Sequence, residues 1–139
     1  MKRSSWKLLL AFFAALALGI LLHFLYQWFP NPLTALVSPV RESLWEHLKL
    51  LFYPLLAAAL LLTRDAPALR AARLLALLTA CALMLGAGWA YHIVLQGESP
   101  AFDLALYAAL MALAFLLPTA VGLLLCFLLA TAARICGFA

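Results

Sequence analysis

Charge is scarce in this chain. Five acidic and nine basic residues stand among 139, so 10% is charged against 69% hydrophobic. A soluble globular domain carries about a quarter of its residues as charges. The expectation is a single transmembrane domain over residues 1–139. The net charge of +4 is also too dispersed to bind nucleic acid. Lys2, Arg3 and Lys7, then Arg64, Arg70 and Arg73, then Arg134 sit at the ends of apolar runs and are read as determinants of topology. Cysteine is sparse as well. Cys81, Cys126 and Cys136 have no CxxC spacing, which excludes a zinc ribbon and makes them small hydrophobic residues.

What the chain has is long apolar runs. Met1-Lys2-Arg3, an apolar stretch and Ala15-Leu16-Ala17 imitate a signal peptide. The run continues to Phe29, longer than the 7–15 residues or so of an ordinary signal core, so it is expected to remain as a helix. Four helices are predicted, at about 6–29, 40–63, 69–96 and 101–133. Pro30-Asn31-Pro32 ends the first, Ser38 is the expected N-cap of the second, with Pro39 in its first turn, and Gly97 ends the third. The fold class is all-α: an integral membrane four-helix bundle. Seven of the nine Lys and Arg fall before or near the start of the first helix, between the second and third or near the start of the third, or after the fourth. By the positive-inside rule both termini are cytoplasmic, in a multi-pass protein of a bacterial inner membrane. Besides the lipid bilayer, the apolar faces allow a homo-oligomer or a membrane partner protein.

This topology gathers His23, Glu42, Glu46, His47, Lys49, His92, Glu98 and Asp103 on the outer side. Asp65 is the one acid on the other side. The apolar run Leu50–Leu62 is too short to span: about 20 Å at about 1.5 Å per residue, against a hydrocarbon core of about 30 Å. Its helix must reach back to about Ser43, which carries Glu46, His47 and Lys49 to membrane depth. Ionisable groups there face a bundle interior or a wet cavity. Glu42, Glu46, Lys49 and Tyr53 share one helix face, and Ser43, His47 and Leu50 another.

The first and third helices share a spacing. Gly19-x-x-x-His23-x-x-x-Gln27 matches Gly88-x-x-x-His92-x-x-x-Gln96, and these are the only glutamines. Residues four apart share a helical face, so the chain reads also as two tandem helical hairpins with His23 and His92 in corresponding places. A divalent metal such as zinc would then find His23, His92 and Glu42 or Glu46, with Lys49, Gln27, Gln96 and Asp103 in support. The competing account makes Glu46 and Lys49 an i,i+3 ion pair at a helix start.

The segments His23-Phe24-Leu25-Tyr26-Gln27-Trp28 and Ser38 to Lys49, with its string Glu42-Ser43-Leu44-Trp45-Glu46-His47-Leu48-Lys49, resemble the DUF6512 family of small bacterial membrane proteins of unknown function. The resemblance covers roughly 23–54 and implies Glu42, Glu46, His47 and Lys49 as a site, without an activity. The chain departs from the family pattern at Arg41, where asparagine is usual, and at His92. The leading expectation is binding of a metal ion or small polar ligand in the outer half. Were a bound ion to activate water, Glu46 or His47 would be the general base. The alternatives are a proton-coupled transporter of a small solute or ion, and an accessory subunit of a larger membrane complex.

Overall fold

The computed structural model describes residues 2–41 and 43–135, with side chains from 5 to 41 and 43 to 118. Glu42, Cys136 and the side chains of Cys126 and Arg134 lie outside this set. The helices are α1 (Lys2–Trp28), α2 (Pro32–Val37), α3 (Leu44–Leu62), α4 (Arg70–Trp89) and α5 (Pro100–Ile135). A 3-10 turn at Pro67–Leu69 precedes α4, and a π-helical turn at Ala90–Val94 continues it. Four stretches are long and apolar enough to cross a membrane: Ser5–Trp28, Leu44–Leu62, Pro67–Val94 and Pro100–Pro118. That is the mark of a multi-pass integral membrane protein, all-helical among the described residues.

α1 packs on α3, α3 on α4 and α4 on α5, and α5 closes the ring against α1. Small side chains set these approaches: Ala15, Ala58, Ala59, Ala76, Ala80 and Ala114 are all buried. In lipid there is little hydrophobic drive between helices, so close packing of small residues does this work. Leu51 and Met111 fill the centre and are fully buried. Large apolar residues such as Phe13, Leu61 and Leu78 point outward, as lipid-facing positions must.

Two local expectations are corrected. The second long helix starts at Leu44 rather than Val40, with Ser43 as its N-cap: the Ser43 Oγ accepts from the Glu46 amide at 3.3 Å. The stretch read as a loop after Pro30 contains α2. Asn31 caps it, accepting from Leu33 N at 2.9 Å and Thr34 N at 3.0 Å, while Thr34 Oγ1 accepts from Asn31 N at 3.2 Å. This reciprocal box, with Pro32 in the first turn, satisfies the orphan donors of a six-residue helix.

Ser38 is therefore not an N-cap. It ends α2 and is wholly buried against α1. Its hydroxyl donates to Leu22 O and accepts from Tyr26 N at 3.1 Å. Leu22 O and Tyr26 N are the two groups that pair along a regular helix, so the hydroxyl stands inside the ladder of α1. Ser38→Ala should lower stability by about 1–3 kcal/mol, because a buried donor and acceptor lose their partner. Thermal unfolding in detergent measures this; an unchanged midpoint would mean that the helix closes its own bond.

Candidate functional site

The polar end of the bundle is built by the C-terminal end of α1, by α2, by the start of α3 and by the α4–α5 connection. Its first element is a clamp. The Glu46 carboxylate accepts from Val40 N at 3.0 Å and from Lys49 Nζ at 2.8 Å. Lys49 also donates to Ala35 O at 2.9 Å, and the Tyr53 hydroxyl to Leu36 O at 3.2 Å. The last carbonyls of a helix have no partner within it, and a cation there also meets the negative end of its dipole. The face expected to carry Glu46, Lys49 and Tyr53 thus docks α2 and its exit strand onto α3.

The second element is a pair of imidazoles. His23 of α1 and His47 of α3 have ring centres 5.6 Å apart, inclined at 37°. His47 Nδ1 lies 2.9 Å from Ser43 O, the carbonyl one turn earlier, and must donate to it. Both rings are half-buried.

The third element locks α4 to α5. His92 Nε2 lies 2.7 Å from Asp103 Oδ1 and Nδ1 lies 2.9 Å from Gly97 O. Both ring nitrogens face acceptors. An imidazolium satisfies both; a neutral ring does so only if Asp103 carries the proton. The π-turn widens the helix at this point, with Leu95 N donating to Ala90 O at 2.9 Å, and Gln96 ends it in the left-handed region at φ 55°. An L side chain there costs roughly 1–2 kcal/mol. Gln96→Gly should therefore raise the unfolding midpoint, and a lower midpoint would show that the amide contributes more than the backbone costs.

The expected site residues thus fall into separate groups. His23 and His47 come together. Glu46 and Lys49 join each other and α2. His92 joins Asp103 on the α4–α5 side, and α4 stands diagonally opposite α1 in the ring. Gln27 and Gln96 are exposed. Among the described residues no cluster of three or more His, Cys, Asp or Glu is placed to hold a metal ion. The four-ligand set of His23, Glu42, Glu46 and His92 is not assembled there, and Glu42 lies outside the described residues. The two glycines of the repeat do sit at helix contacts: a Cβ on Gly19 would come within 2.8 Å of Leu50 O, and one on Gly88 would strike the Leu44 side chain. The glycines thus serve helix packing at both places, while the two histidines have different partners.

Two roles escaped the sequence. That of Ser38, expected as an N-cap and found inside the ladder of α1, is one. That of Tyr107 is the other: the side chain is buried, crosses from α5 to Gly19 and donates to Leu16 O at 3.3 Å. A tyrosine in the middle of an apolar span, away from both interfaces, is the signal that could have found it.

A polar-ended, multi-pass helical bundle is the class that these features define. Residues 1–64 match the model of a family of unknown function, DUF6512. The match takes in α1, α2 and α3, hence the clamp and both His23 and His47. No curated protein and no solved structure matches the chain.

Proposed function

We propose that the polar end binds a divalent transition metal ion or a small polar ligand between α1 and α3, with His23 and His47 as the recognising pair. The separation of 5.6 Å between their ring centres carries this reading. At zinc–nitrogen distances of about 2.0–2.1 Å, two imidazoles on one tetrahedral ion have ring centres about 5 Å apart. The Nδ1 bond of His47 to Ser43 O is the kind of outer contact that fixes the orientation of a ligating imidazole. Glu46 belongs to the clamp rather than to the ligand set, because one carboxylate oxygen already takes two hydrogen bonds. The reading is one of binding and assigns no reaction.

Zinc titration of the detergent-purified protein by calorimetry tests it. His23→Ala and His47→Ala should each weaken zinc by about tenfold or more, while His92→Ala leaves it unchanged. Glu42→Gln asks whether this carboxylate completes the set. Equal zinc binding by wild type and the His23→Ala/His47→Ala double variant would remove the site.

A further inference from the structure

The connection between α1 and α3 folds back beside both helices. Trp28, the last residue of α1, and Trp45, the second of α3, are both exposed, where an interfacial aromatic belt is expected. α3 has 19 residues and measures about 28 Å, no more than a hydrocarbon core of about 30 Å. It has no turns to spare, so whatever lies beside its interior is at hydrocarbon depth. Two contacts bring the end of α2 to that level. The Ser38 hydroxyl stands between Leu22 O and Tyr26 N, about 6 Å in from the end of α1. Leu36 O meets the hydroxyl of Tyr53, nine residues beyond Leu44. A tyrosine leaning fully back toward the start of its helix still ends inside the span.

The backbone of α2 asks little of water. Pro32 has no N–H. Leu33 N and Thr34 N donate to the Asn31 side chain, and Ala35 N to Asn31 O at 3.0 Å. At the other end Thr34 O accepts from Ser38 N at 2.9 Å, Ala35 O from Lys49 and Leu36 O from Tyr53. A helix end in water can leave such groups to solvent; in hydrocarbon each must find its partner in the protein. Residues 29–40 carry no charge. Their apolar side chains nevertheless turn outward, with Leu33 and Leu36 81% and 64% exposed.

We propose that residues 29–40 form a re-entrant segment and that Leu33 and Leu36 insert among the acyl chains of the leaflet at this end. Two leucines on a six-residue helix are too small a patch for a protein interface, which takes about 800 Å² from each partner. Lipid is the occupant that needs no such area. The clamp of Glu46, Lys49 and Tyr53 then serves to carry a polar backbone below the membrane surface. Its depth does not depend on the histidine pair.

Spin labels test this in the full chain reconstituted in phosphatidylcholine vesicles. Cys81, Cys126 and Cys136 are replaced by alanine, and single cysteines are introduced as Leu33→Cys, Leu36→Cys, Leu78→Cys and Glu98→Cys. Leu78, exposed within the Pro67–Val94 span, is the lipid control, and the exposed Glu98 of the α4–α5 connection is the water control. Oxygen should relax the label at position 36 as strongly as that at 78, and a water-soluble nickel chelate as weakly. Position 33, nearer to Asn31, should fall between 36 and 98 in nickel access. Circular dichroism establishes that each variant folds, and Ala35→Cys on the same turn replaces Leu36→Cys if the latter does not. Nickel access at position 36 equal to that at 98 would overturn the re-entrant segment. Shielding of 33 and 36 from both reagents would reveal a protein cover and overturn the lipid assignment.

Discussion

Gly19→Leu should abolish the folded state. At Gly19 three helices meet: the backbone oxygen of Leu50 would lie 2.8 Å from a Cβ there, and the Tyr107 hydroxyl would collide with it outright. The tyrosine can swing aside, but the carbonyl moves only with α3. Overpacking a core costs about 1–3 kcal/mol when side chains can adjust, and more when backbone must shift. Even Gly19→Ala should lower the unfolding midpoint clearly. Pairing it with Tyr107→Phe, which removes the hydroxyl, should recover part of the loss, a coupling expected of residues in contact. Gly86 is the control, since nothing lies within 4 Å of a Cβ placed there. Gly86→Ala should stabilise α4 by up to about 1 kcal/mol through helix propensity. Size-exclusion profiles and thermal melts in detergent report all four variants. A monodisperse Gly19→Leu protein with a wild-type midpoint would mean that α1 does not cross α3 at this glycine.

Lys49→Met should be the second severe change. The ammonium joins two acceptors from different elements, Ala35 O and the Glu46 carboxylate. Removing it leaves a carboxylate with Val40 N alone and a helix-end carbonyl with nothing. Breaking a fully buried pair costs about 3–5 kcal/mol. Here the Lys49 and Glu46 side chains are 25% and 27% exposed, so about 2–4 kcal/mol is expected. Glu46→Gln should cost less, since an amide oxygen still accepts from Val40 N. The double variant Glu46→Gln/Lys49→Met should be more stable than the sum of the single losses predicts, because the stranded charge is gone. Strict additivity would show that the two side chains act independently. Zinc affinity measured on Glu46→Gln separates the clamp from the histidine pair: it should stay near wild type, whereas stability falls.

The membrane spans were legible because hydropathy alone marks runs such as 50–62 and 101–118. The common face of Glu46, Lys49 and Tyr53 was legible too, from helical spacing. What that face docks against was not. α2 begins at the second of two prolines that read as a break, although Asn31-x-x-Thr34 with Pro32 is a capping pattern that could have revealed it. Ser38-Pro39 carries the signature of a helix start, but burial against α1 overrides it. A helical wheel treats each helix alone, so it separated Glu46 from His47 correctly. It had no means of bringing His23 to His47 across two helices, or of placing His92 beside Asp103. Both pairings depend on which helices are neighbours in the ring, and a repeat of spacing does not encode that.

The Ser38 hydroxyl also makes the Tyr26 amide an internal clock. That proton lies within α1 but is held by a residue twelve positions onward. Its exchange with deuterium should therefore follow the opening of the α2 segment, not the fraying of α1. Its neighbours along the same helix should exchange at the much slower rate of the whole bundle.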